Sequence, residues 1–243
     1  MSRHLKIKRE YREKIEEFRG QILERADILI STTFPNKITE LNKILKEESL
    51  NVLDLTLIHS PLVIPIPDPP KKEENGGKND SDEGNETKKE KAPKCGFIAS
   101  NEKILTLLNK LKPELRTLRE NITLLTIWIQ YLVPQIEDGN DFGVAIQEKV
   151  LERIAAVKTK VETYQTNINK YFSERGDAVG KASKDTHVMD YRQLVHEKDE
   201  AIYIEIRTML MDIRGYYGEL ADIIVKNTEK ITMPKGDVKP AMY

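Results

Sequence analysis

Few residues in this chain could do chemistry, and their spacing is wrong for it. There are four histidines, His4, His59, His187 and His196, and one cysteine, Cys95. His196-Glu197 opens like the helical zinc motif in which two imidazoles one turn apart hold the metal. Position 200 is Glu, so the second ligand is missing, and His196 reads as a helix-surface histidine among charges. Gly176-Asp-Ala-Val-Gly180-Lys181-Ala182-Ser183 is one residue short of a phosphate loop between its glycines. Ala follows the lysine where a hydroxyl must reach magnesium, so these glycines read as an interhelix turn. Asp138-Gly-Asn140-Asp141-Phe142-Gly143 starts like a calcium loop, but Lys149 occupies the twelfth position, where a bidentate Glu is needed. A single cysteine cannot form an internal disulfide or a cysteine-built zinc site, and Cys95 has no histidine near it in sequence. The expectation is no catalytic residue, no metal and no cofactor. The carboxylates read as members of charged helical faces.

The rest of the 243-residue chain reads as scaffold. The hydrophobic class is 39%, charged residues are 33% and aromatics 6%, a balance that favours helix over strand. Thirty-nine basic residues against forty acidic ones leave a net charge of -1, so no general attraction to nucleic acid or to an anionic membrane is expected. No run of about 18 apolar residues offers a spanning helix. The basic start, Met1 to Glu10, is not followed by an apolar signal region, and a soluble cytoplasmic location is the expectation.

The hydrophobic period sets the organisation. Ile15, Phe18, Ile22, Ala26 and Leu29 predict a helix over 5–33, interrupted at Phe34-Pro35 and followed by a shorter piece carrying Ile38, Leu41 and Leu45. That piece either stands alone or continues the first helix past a kink at Pro35. Residues 60–70 are too rich in proline for helix. Leu62, Val63, Ile64 and Ile66 are expected to pin this extended connection along the body, although Pro67 and Pro70 also satisfy the PxxP spacing of SH3 ligands. Residues 71–94 hold seven lysines and seven acidic side chains, too polar to offset the cost of ordering, and read as a disordered charged loop between helices 1 and 2.

Beyond that loop, Ile104, Leu108, Leu111, Leu115, Leu118, Ile122, Leu125, Ile129 and Leu132 step by four and three as a heptad seam, with Pro113 taken as lying near its start. Ile127, Trp128 and Tyr131 widen the apolar surface at its end. A third helix spans 144–173 and a fourth 188–231, with Gly215 and Gly218 marking close packing or a bend. The expected organisation is an N-terminal helix region (1–60), a Pro-rich and charged connection (61–96) and a three-helix region (97–243), together one elongated, all-α four-helix bundle.

Three segments are more specific than generic helix. They are Pro134-Gln-Ile-Glu-Asp-Gly-Asn-Asp-Phe-Gly143 running into Val144–Val150, Lys170-Tyr-Phe-Ser-Glu-Arg-Gly-Asp-Ala178 with Asp190–Glu197, and Lys239-Pro-Ala-Met-Tyr243. With Pro65–Pro70 and the charged loop, they resemble the 11S (REG) proteasome activators over nearly the whole chain, least over residues 1–33. Gly139-Asn140-Asp141-Phe142, Lys94-Cys-Gly-Phe97 and the Met-Tyr ending are most similar to beta-type subunits.

The resemblance implies a four-helix protomer of a heptameric ring that caps the outer ring of the core proteasome without ATP. It implies a mixed heptamer with an alpha-type activator subunit, enhanced peptide hydrolysis and a part in antigen processing. It also implies two sites. Gln135, Ile136, Glu137, Asp138, Gly139, Asn140, Asp141, Phe142 and Gly143 would form the activation loop that opens the gate. Lys239, Pro240, Ala241, Met242 and Tyr243 would form the tail that binds the proteasome. Ile127, Trp128 and Tyr131 are expected to reach a neighbouring subunit. The rival reading is a helical scaffold or adaptor without proteasome contact, recruiting partners through residues 61–94.

Overall fold

The computed structural model describes residues 8–66, 95–137 and 139–236. Helix α1 (Arg9–Ile28) runs through a π-helical turn (Leu29–Thr33) into α2 (Phe34–Ile44) without leaving helical backbone angles. The interruption expected at Phe34-Pro35 is therefore a widened turn inside one rod. Phe34 donates its N–H to Leu29 O, five residues back, and Thr33 Oγ1 donates to Ile28 O. The extra residue in that turn accommodates a proline ring that would clash with an ordinary α-turn. Phe34 is then fully buried, edge-on to Tyr217 at 5.0 Å between ring centroids.

Two short 3₁₀ turns (Glu48–Leu50 and Leu55–Ile58) lead into the Pro-rich stretch. Of its apolar residues only Ile64 is buried. Val63 and Ile66 are exposed, and the segment is held instead by Arg192, which donates to the carbonyls of Ile64, Pro65 and Thr186. The PxxP prolines and the charged loop 71–94 lie outside the described residues.

Helices α3 (Glu102–Leu132), α4 (Phe142–Lys184) and α5 (Met189–Thr232) complete the bundle. At 44 residues, α5 is about 66 Å long. The heptad seam of α3 is buried from Ile104 to Ile129. It meets Val150, Ile154, Val157, Val161 and Ile168 of α4, and Ile202, Met209, Ile213 and Leu220 of α5. Pro113 is well inside α3, not near its start. It sits on the water-facing side beside exposed Asn109, whose carbonyl loses its helical partner to solvent at little cost.

The third helix runs farther than the period predicted. Gly176 and Gly180 are within α4, and the turn to α5 falls at Asp185–Val188. Buried Arg175, Ala178 and Ala182 keep this stretch packed and helical in spite of its glycines. Gly215 and Gly218 do not mark close packing, for a Cβ at 215 would meet nothing and one at 218 only Ile38 Cδ1 at 3.9 Å, and α5 runs through both.

Side-chain ties give the helix directions. Arg19 of α1 donates to Tyr131 O near the end of α3, and Gln147 near the start of α4 reaches Leu132 O and Ile231 O. One end of the bundle thus gathers α1, the end of α3, the start of α4 and the end of α5. The helices alternate in direction, as the short connections between α3, α4 and α5 require of those three.

Candidate functional site

That end carries a loop whose shape is set by a few identifiable contacts. Gln147 is fully buried, and its amide donates to Leu132 O at 3.0 Å and Ile231 O at 2.7 Å. Both carbonyls are among those a helix leaves unpaired at its C-terminus, so one side chain satisfies two helix ends and draws them together. Gly143, second residue of α4, is buried against the turn after α5. A Cβ there would lie 2.1 Å from Pro234 O and 2.5 Å from Pro234 Cα, so only glycine fits this approach.

Lys235 follows Pro234 in that turn. Its ammonium donates to Gly139 O at 2.9 Å, Asp141 Oδ1 at 3.1 Å and Glu137 O at 3.3 Å. In return Asn140 Nδ2 donates to Lys235 O at 2.6 Å. Asn140 has a φ of 51°, a left-handed conformation that asparagine tolerates better than most side chains. Gly139, with a φ of 87°, lies next to it. Asp141 stands at the N-cap of α4 yet makes no capping bond, since its carboxylate is given to Lys235. The loop is thereby clasped by the segment that begins the C-terminal tail. Ile136 and Phe142 point outward, 98% and 71% exposed, apolar groups offered to solvent at a rigidly placed site.

A second polar cluster lies toward the opposite end, and it departs from the expectation that every carboxylate is solvated. Asp199 is fully buried and accepts from Arg175 Nε at 2.7 Å, Tyr171 Oη at 2.7 Å and Asn101 Nδ2 at 2.8 Å. Asn101 also caps α3 through Oδ1 and donates to Ile58 O. Burial, reinforced by the bond to Asp199, pushes the Tyr171 phenol well above its usual range. His196 is not a surface histidine. Its ring stacks on His59 at 4.1 Å between centroids, and His59 pairs with Glu200 at 2.5 Å. Burial first, then the neighbouring His59, holds the His196 imidazole below its ordinary value. Every Asp199 oxygen is committed to structural partners, so the cluster is a staple between α3, α4 and α5. Among the described residues no group of three or more His, Cys, Asp or Glu is placed to hold a metal, and no helix is long and apolar enough to cross a membrane.

Of the residues singled out from sequence, Gln135–Glu137 and Gly139–Gly143 are brought together in this loop, while Asp138 lies outside the described residues. So does the tail, Lys239–Tyr243, although its root at Gly236 adjoins the loop. Trp128, expected to reach a neighbouring subunit, is taken up by the chain's own core at 7% exposure. Ile127 and Tyr131 are half-buried, Tyr131 edge-on to Phe18. The loop's actual holders, Gln147, Pro234 and Lys235, went unrecognised in sequence. A proline and a glycine just past a helix are ordinary stop residues, and nothing in the lysine between them points about ninety residues back along the chain.

Fold and site together define an all-helical bundle protein with a clasped interhelix loop beside the end of its last helix. Two family models divide the chain: "Proteasome activator PA28, N-terminal" matches residues 9–69 and "Proteasome activator PA28, C-terminal" matches residues 97–241. The chain belongs to the proteasome activator PA28 family. It is 56% identical over 239 residues to the Homo sapiens protein "Proteasome activator complex subunit 2", covering 98% of both chains. To the Homo sapiens "Proteasome activator complex subunit 3" it is 36% identical over 257 residues, covering all of both. The higher identity to subunit 2 agrees with the beta-type character read from residues 139–142. The solved 11S subunit of the Plasmodium falciparum proteasome, PA28, superposes with a TM-score of 0.78 at 27% identity, covering 97% of this chain and 96% of that one.

Proposed function

We propose that this chain is a non-enzymatic, ATP-independent activator subunit that caps the core proteasome, opens its gate and enhances peptide hydrolysis, and so contributes to antigen processing in the cytoplasm. It works within a heptameric ring shared with an alpha-type subunit. The observation that carries this reading is the clasp, which places a rigid loop and the root of the C-terminal tail at one end of the bundle. A gate opener needs both there: an anchor, and a fixed surface that presses where the anchor holds it. The tail, Lys239–Tyr243, supplies the anchor. A single short tail binds weakly, but several tethered to one ring raise one another's effective concentration. The loop Gln135–Gly143 supplies the pressing surface, and its position on rigid helix ends gives the precision that a displaced gate requires. No bond is made or broken by this chain.

The test is fluorogenic peptide hydrolysis by purified core proteasome, with this chain added alone and with an alpha-type partner. Stimulation that is lost on deleting Ala241–Tyr243 supports an activator docking through its tail. A folded ring that never stimulates overturns the reading and leaves a helical scaffold.

A further inference from the structure

The clasp joins two parts that the activator reading treats as separate, an anchor and a lever. We infer that Lys235 is a positioning residue that couples them: it holds the loop in its gate-opening shape from the segment in which the tail begins. The inference rests on the activator reading and adds a residue and a route to it.

The geometry is that of an ammonium in a built cradle. Three oxygens from residues 137, 139 and 141 converge on Lys235 Nζ within 3.3 Å, two of them backbone carbonyls. Lysine has three ammonium donors and all three are used, so the loop carbonyls are drawn round one point charge. The chain returns the contact through Asn140 Nδ2 to Lys235 O, and Gly143 lies flat against Pro234. The Lys235 side chain is only 26% exposed although it lies beyond the end of α5. A loop of this kind, with exposed Ile136 and two successive residues at positive φ, has no core of its own. Its shape depends on these tethers, all of which end on residues 234 and 235. The tail, Lys239–Tyr243, begins four residues after Lys235 in the chain, so a pull on a docked tail is led toward the one side chain and one backbone contact that hold the loop.

A positioning role predicts a separation that a binding role does not. Lys235→Met keeps the length of the stem and removes every ammonium bond. The assay uses the full chain assembled with its alpha-type partner. Cleavage at Glu137 by a glutamyl endopeptidase is expected to rise by about tenfold or more, the factor that corresponds to losing hydrogen bonds to a charged group. Cleavage in the middle of α4 and the thermal midpoint stay unchanged. The concentration of activator giving half-maximal stimulation stays where it was, because the tail still docks, and the maximal stimulation falls severalfold.

Unchanged cleavage of the loop overturns the clasp. Faster cleavage with full stimulation shows that the clasp holds the loop but does not serve the gate, and overturns the positioning role. A raised half-maximal concentration with full maximal stimulation assigns Lys235 to proteasome binding instead. If the unsubstituted ring does not stimulate in the same assay, the activator reading itself fails and takes the positioning role with it. The cleavage measurement still decides separately whether the clasp exists.

Discussion

Gly143→Ala is the smallest change that tests how the clasped end of the bundle is built. A methyl group at this position would start 2.1 Å from Pro234 O, where ordinary contact begins at 3.4 Å. Pro234 and the backbone carrying it must therefore retreat by about 1.3 Å, because its carbonyl and Cα are main chain and cannot swing aside as a flexible side chain would. Lys235 moves with Pro234. The Asn140–Lys235 bond of 2.6 Å and the Lys235–Gly139 bond of 2.9 Å would both lengthen past the range in which a hydrogen bond holds.

Overpacking of this kind costs about 1–3 kcal/mol, while Ala in place of Gly returns up to about 1 kcal/mol of helix propensity. The net expectation is a loss of stability, or a displaced loop if the turn yields instead. Gly180→Ala is the control: that position is also helical, a Cβ there meets nothing, and the variant should gain about 0.5–1 kcal/mol. Chemical denaturation of both variants, with proteolysis at Glu137 and peptide-hydrolysis assays, reads out each consequence. A Gly143→Ala protein as stable as Gly180→Ala, with a loop cleaved no faster than in the native chain, would refute the close approach and the clasp built on it.

The other expectations concern the loop tip and the far end of the bundle. Replacing Gly139 or Asn140 by a bulky residue should leave docking intact and abolish stimulation, as read by co-sedimentation with core proteasome beside hydrolysis; normal stimulation would remove the loop from the mechanism. Asp199→Ala leaves the Arg175 guanidinium buried without its partner, which should cost about 3–5 kcal/mol in denaturant titrations. A cost within about 0.5 kcal/mol, usual for surface sites, would show that the staple carries little.

The His196 imidazole is depressed in the fold, so its contribution to stability is complete above its unfolded value of 6.5 and is lost as pH falls from there through the folded value. His59 stacked on it and Arg175 oppose its protonation, and Asp199 and Glu200 favour it. Melting temperatures at pH 7.5 and 5.5 should therefore drop more for the native chain than for His196→Asn. An equal drop in both would place the acid sensitivity elsewhere.

Much of the architecture was legible because it repeats. The seam of α3 is buried from Ile104 to Ile129, since a three-and-four spacing has only one face to bury. The helix count, the absence of catalytic spacing and the family motifs are likewise one-dimensional facts. Boundaries set by long-range packing were not legible. Gly176 and Gly180 look like a turn locally, and only Arg175 locked to Asp199 shows why the helix continues through them. Trp128 looked like surplus apolar surface until its own bundle covered it.

The loop 135–143 could be located from its residues but its shape could not. Residue type and period alone determined that this chain would be helical and charged, because those properties are local. Tertiary structure alone decided that Gln147 ties two helix ends, that Gly143 must be glycine and that Lys235 closes round the loop. Those contacts join residues up to about a hundred positions apart, and a pairing at that distance leaves no mark on the sequence near either partner.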